Sequence, residues 1–120
     1  MHSEASLASR ERARHEFAGQ LKDKGENALE IARQLLDITA VLDSNVRLER
    51  LLTDPGRQPQ ERVALVDKLF EDKVYALTLE VIRYLARQRW TKARHIASAM
   101  EDVAVDATFS YCDARGTTSQ

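Results

Sequence analysis

Few groups in this 120-residue chain have the type and spacing to do chemistry: three histidines, one cysteine, some adjacent carboxylates and one basic stretch. His2, His15 and His95 are far apart, and none falls in an HExxH or H-x-E…CxxC pattern, so no metal site is expected. Cys112 lacks a CxxC partner. Its neighbours Tyr111 and Asp113 offer no electropositive pocket to hold a thiolate, so it reads as a small, semi-buried side chain. Glu71-Asp72 and Glu101-Asp102 are adjacent pairs, and side chains one apart on a helix do not converge on one substrate. No GxGxxG, GxxxxGKS/T or GxSxG occurs. These patterns give no basis for an enzyme, and no cofactor is expected. The basic stretch RQRWTKARH, Arg87 to His95, combines cations with an aromatic and could stack on and neutralise nucleic acid. The plainer reading is that its cations complement a helix C-terminus while Trp90 plugs a helix junction.

Bulk composition narrows the class. Eighteen basic and nineteen acidic side chains leave a formal net charge of −1, unlike domains built to neutralise phosphates. Hydrophobic residues at 43% and charged residues at 31% suit one soluble domain with a modest core. Scarce Gly, Pro and aromatics favour helices over strands. No apolar run approaches the roughly 20 residues a membrane span needs, and the start MHSEASLASRERARHEF lacks a secretory signal's apolar centre. A single cysteine excludes an internal disulfide and suits a reducing, cytoplasmic setting.

The elements that would carry these residues are all helical. Ser6 or Ser9 is a candidate cap for a first helix ending near Lys24, with a thin apolar face of Leu7, Ala13, Phe17, Ala18 and Leu21 and a break at Gly25. The second, about Glu26 to Leu42, has the cleanest 3.6-residue period: Ala28, Ile31, Ala32, Leu35, Thr39 and Leu42, with Leu36 and Ile38 beside it. A short third helix, Val46 to Leu52, stops before Pro55, which forces Asp54 out of the helical region. Pro59 then suits the first position of a fourth helix with Val63, Val66, Leu69 and Phe70 inside. A fifth, about Tyr75 to Gln88, is apolar on most sides and belongs at the centre. Thr91 is a candidate cap for a sixth, Lys92 to Asp113, with Ala93, Ile96, Ala97, Met100, Ala104 and Ala107 inward. Val105, Phe109 and Cys112 form a second stripe out of register with that core. The expected fold is an all-α, compact six-helix bundle over residues 1–114, followed by a linker or frayed tail at 115–120. On pattern alone, the weakly anchored first helix and the over-apolar fifth either leave a groove for a partner's helix or pack on each other.

The succession resembles the N-terminal domain of the δ subunit of bacterial F-type ATP synthase, the relative of the mitochondrial oligomycin-sensitivity-conferring protein. The resemblance rests on Leu48-Glu49-Arg50-Leu51-Leu52-Thr53-Asp54-Pro55, Glu61-Arg62, Leu69-Phe70, and Thr78-Leu79-Glu80-Val81-Ile82-Arg83-Tyr84-Leu85. Arg89-Trp90 looks like the variant of actinobacterial members. The resemblance covers residues 6–113 and implies a six-helix bundle without an active site. It implies a stator part of the peripheral stalk, whose first and fifth helices hold the N-terminal helix of an α subunit against rotation of the head. By position, the groove would comprise Arg12, Ala13, Glu16, Phe17 and Leu21 from the first helix and Val81, Ile82, Leu85 and Arg89 from the fifth, with Arg12, Glu16 and Arg89 as rim charges. The family has Tyr-Ala where this chain has Arg12-Ala13. The b subunits would bind a C-terminal domain absent from these residues. The resemblance further implies a monomer in isolation, a peripheral place at the cytoplasmic face of the plasma membrane without direct insertion, and no nucleic-acid partner.

Overall fold

In the computed structural model the structure describes residues 4–119, with side chains for 5–116. The order is α1 (Glu4–Lys24), a 3-10 turn (Gly25–Asn27), α2 (Ala28–Asp43), α3 (Val46–Thr53), α4 (Pro59–Phe70), α5 (Ala76–Arg87) and α6 (His95–Ser119). Among the described residues there is no strand. Five of these helices have 12 residues or more, whereas α3 has 8. The expected bundle of six therefore has five full members and a two-turn link.

Local chemistry sets the boundaries. Gly25 takes φ +55°, a left-handed conformation that glycine adopts without a side-chain penalty, and α1 turns there into α2. The Asn45 side chain accepts from Leu48 N at 3.1 Å and caps α3. Pro59 opens α4, and Gln58 N donates to Glu61 Oε1 at 2.7 Å. Two expected caps are corrected. Ser6 and Ser9 lie inside α1, both buried, and bond across the molecule: Thr91 N donates to Ser6 Oγ at 2.8 Å, and Ser9 Oγ donates to Arg89 O at 2.8 Å. With its N–H so used, Thr91 belongs to a turn that joins α5 to α6, and α6 starts at His95. The last helix also runs through 115–119, where a tail was expected. Gly116 costs a helix about 1 kcal/mol against alanine without ending it; Gln120, like His2, lies outside the described residues.

α6 is the long member on which α1 and α2 both pack, while α4 packs mainly on α5. Arg10 and Arg14 of α1 each make a two-toothed pair with Asp102 and Asp106 of α6, at 2.7–3.0 Å. Both pairs step by one turn in the same direction, so α1 and α6 run parallel. The α2 stripe is buried as its period requires, with Ile38 inside, but Leu36 is 47% exposed. In α4 only Val66 of the expected stripe is fully covered; Val63, Leu69 and Phe70 are half-buried. Leu7 and Ala18 of α1 face outward, so its inner stripe is Ser6, Ser9, Ala13, Phe17 and Leu21.

The corner between α3 and α4 closes around Arg62, a charged residue only 5% exposed. Its Nη1 donates to Asp54 O at 2.9 Å and Arg57 O at 2.7 Å, both in the turn. Its Nε donates to Ala86 O at 2.7 Å, and Nη2 reaches Arg87 O at 3.5 Å, both at the end of α5. A helix C-terminus leaves four carbonyls without intrahelical partners and carries partial negative charge. Here Gln88 Nε2 serves Tyr84 O at 3.3 Å, Trp90 Nε1 serves Leu85 O at 2.8 Å, and Arg62 serves the other two. Gln34 of α2 holds the opposite end, its Oε1 accepting from Tyr75 N at 2.9 Å and Thr78 Oγ1 at 2.7 Å. Both ends of α5 are thereby fixed.

Candidate functional site

α1 and α5 lie side by side, as the resemblance implied, but they do not part to expose an apolar floor. The Phe17 and Tyr84 rings meet edge to face, with centroids 5.5 Å apart and planes at 84°. Phe17 is 3% exposed and Leu85 0%; Ala13, Leu21, Val81 and Ile82 are buried with them in one cluster. These six expected groove residues are core residues in this structure. The reason is economy of apolar surface. α1 has so few inward-facing hydrophobic side chains that each is used to hold the helix to its own domain.

Above that core the two helices leave a shallow cleft of about 440 Å³, lined by Glu11, Arg12, His15, Glu16 and Tyr84. Arg12 leans towards α5, with Nη2 3.4 Å from Gln88 Oε1 and 3.3 Å from Ser9 Oγ. Arg12 and Glu16 are exposed and one turn apart, so opposite charges mark one edge. Arg89 lies beyond the end of α5, exposed, and contributes its carbonyl to Ser9. The residues open to a partner are thus the three expected charges plus Tyr84, Glu11 and His15. Tyr84 belongs to the stretch that carries the resemblance but was not among the expected site residues.

The Arg87–His95 stretch is divided between duties. Trp90 is half-buried and closes α5 through its indole N–H. His95 Nδ1 lies 2.7 Å from Ser6 Oγ. Ser6 Oγ accepts from Thr91 N and keeps its own proton for donation, so a neutral imidazole with an unprotonated Nδ1 fits as its acceptor. Burial lowers the pKa of His95, helped by the cations Arg94, Lys92 and Arg10. Among the described residues no cluster of three or more His, Cys, Asp or Glu side chains could hold a metal, and no helix is long and apolar enough to cross a membrane. Cys112 is exposed, not semi-buried. Val105 and Phe109, 49% and 63% exposed, share its outward face of α6.

Glu49 is the feature that patterning missed altogether. It lies on α3, 4% exposed, and its Oε2 has no hydrogen-bond partner. Burial raises its pKa, with Asp43 adding to the effect and Arg94 opposing it.

Fold and surface together define an all-helical domain whose clefts run between helices and whose ionisable groups serve mainly to join them. The chain belongs to the ATP synthase delta (OSCP) subunit family, whose model matches residues 17–110. It is 42% identical over 120 residues to the ATP synthase subunit delta of Bifidobacterium longum subsp. infantis, covering 100% of this chain and 43% of that protein. The namesake subunit of Renibacterium salmoninarum is 36% identical over 84 residues, 70% of this chain and 31% of its own. That of Acidothermus cellulolyticus is 30% identical over 103 residues, 86% and 38% respectively. The chain spans less than half the length of these relatives, all actinobacterial.

Proposed function

We propose that this domain is a non-catalytic stator element of an F-type ATP synthase, part of the peripheral stalk, and that it receives the N-terminal helix of an α subunit across α1 and α5. The observation that carries the reading is the cleft along those two helices, edged by Arg12 and Glu16 and floored by Tyr84. An amphipathic helix laid there would set an apolar side chain on the Tyr84 ring and place charges against Arg12 and Glu16. Such rim pairs are worth about 0–1 kcal/mol each when exposed, so they set register more than affinity. The stator role asks for stiffness under torque. The Arg62 corner, the two fixed ends of α5 and the α1–α6 arginine–aspartate pairs supply it, and a preformed surface loses less ordering entropy on binding. The b subunits would bind the additional length that the relatives have. The assembly would lie at the cytoplasmic face of the plasma membrane without inserting this domain.

Calorimetry with a peptide copying the α-subunit N-terminus tests this. Saturable heat that Arg12→Glu and Tyr84→Ala each weaken supports it. An absence of heat at high peptide concentration removes it.

A further inference from the structure

An uneven distribution of charge lies just beyond the C-terminal end of α5, next to the α1–α5 cleft. A recess of about 560 Å³ opens between the α3–α4 turn and the α5–α6 connection, lined by Arg57, Arg62, Arg87, Arg89 and Trp90 among others, with no carboxylate in its wall among the described residues. A second hollow of about 530 Å³ shares Trp90 and Pro55 with it and adds Arg47 and Arg50. Among the described residues Asp54 is the one carboxylate lining either. It is engaged: Oδ1 accepts from Gly56 N at 2.8 Å, and Oδ2 lies 3.6 Å from Arg57 Nε. Arg62 meets only carbonyl oxygens, which orient its charge without cancelling it. Among the described residues, six arginines thus face one carboxylate in a chain whose formal net charge is −1. Segregation of this kind raises the local concentration of anions and steers their approach.

We infer that this arginine-lined recess docks an acidic polypeptide segment of a partner protein, its carboxylates spread along the two connections. The arginines are divided between residues 47–62 and 87–89, so they suit a row of carboxylates better than one small ion. Guanidinium groups take carboxylates in a two-toothed geometry. Half-buried Trp90 between the hollows supplies an apolar contact. Nucleic acid fits less well, because stacking platforms take successive bases on several aromatic side chains and Trp90 is the one aromatic among the described residues lining the two hollows. This surface adjoins the α1–α5 cleft at Gln88 and Arg89, so the two readings are told apart by Arg57→Glu, which lies on the α3–α4 turn and should weaken the acidic peptide alone, and by Arg12→Glu, which should weaken the α-subunit peptide alone.

Trp90 makes the test direct, because it reports on the recess by its own fluorescence. The chain is titrated at low salt with a short peptide alternating glutamate and glycine, with the glutamine counterpart, with inorganic phosphate, and with a short oligoribonucleotide. The expected result is a saturable change in emission with the glutamate peptide alone, weakening as salt approaches about 0.15 M. Arg57→Glu and Arg87→Glu should each weaken it about fivefold with circular dichroism unchanged. The inference is overturned if the glutamate peptide gives no saturable change, or if Arg57→Glu leaves its affinity unaltered. It is likewise overturned if phosphate displaces the peptide at equal concentration, or if the oligonucleotide binds more tightly.

Discussion

Replacing Arg62 by methionine keeps an unbranched stem as far as the position of Nε and removes the guanidinium that ties the α3–α4 corner to the end of α5. Three short hydrogen bonds are lost, at 2.7, 2.9 and 2.7 Å, to Ala86 O, Asp54 O and Arg57 O. Bonds from a charged donor contribute about 1.5–3 kcal/mol each. The low end applies here, because methionine also relieves the cost of a buried charge. The sum is about 4 kcal/mol. For a domain of this size the unfolding entropy is about 0.25 kcal/mol/K, so the thermal midpoint should fall by about 15 °C. Urea unfolding followed by both Trp90 emission and helical circular dichroism would measure it. Arg62→Lys should recover less than half, since one ammonium cannot span the turn and the end of α5 together. A methionine variant within about 1 kcal/mol of the parent would refute the claim that this guanidinium holds the corner.

Other expectations follow from the same contacts. Phe17→Asp should unfold the domain rather than silence a binding surface, because it places a carboxylate in the core beside Tyr84 and forfeits about 3–5 kcal/mol of packing. Circular dichroism decides between the outcomes: a folded Phe17→Asp protein would mean that the ring is not buried. Glu49→Gln should stabilise the domain by about 1 kcal/mol at neutral pH, by removing a buried charge with an unpartnered oxygen. Since the folded pKa of Glu49 is raised, its penalty grows as pH rises through the carboxylate range, so the gain should vanish near pH 4; an equal gain at both pH values would contradict this. His95 has a lowered folded pKa. The unfolded chain then binds the proton first as pH falls below about 6.5, so stability should decline there as long as the folded imidazole stays neutral. His95→Gln should flatten that slope in urea unfolding between pH 7 and 5.

The sequence disclosed the helices better than it disclosed what they face. The α2 period, the Pro59 start and the Gly25 break each have a cause within a few residues, and each is seen. Burial partners are not local. Phe17 and Leu85 were expected in the groove and lie in the core, because periodicity says only that a face is covered, not whether the cover is the chain's own or a partner's. Ser6 and Ser9 looked like caps because serine caps helices. Their real partners, Thr91, His95 and Arg89, lie 80 or more residues away. Arg62 and Glu49 gave no pattern signal, since a charged side chain on a short helix is expected outside. Of the expected site, the rim charges Arg12, Glu16 and Arg89 stand exposed, and the apolar half went into the core.

The central claim is that α1 and α5 together make the partner surface. It is tested most directly by mapping amide chemical shifts while the labelled domain is titrated with the α-subunit N-terminal peptide. The account predicts saturable shifts concentrated at Glu11, Arg12, His15, Glu16, Tyr84 and Gln88. Shifts confined to the Val105–Phe109 face of α6, or none at saturating peptide, would contradict it.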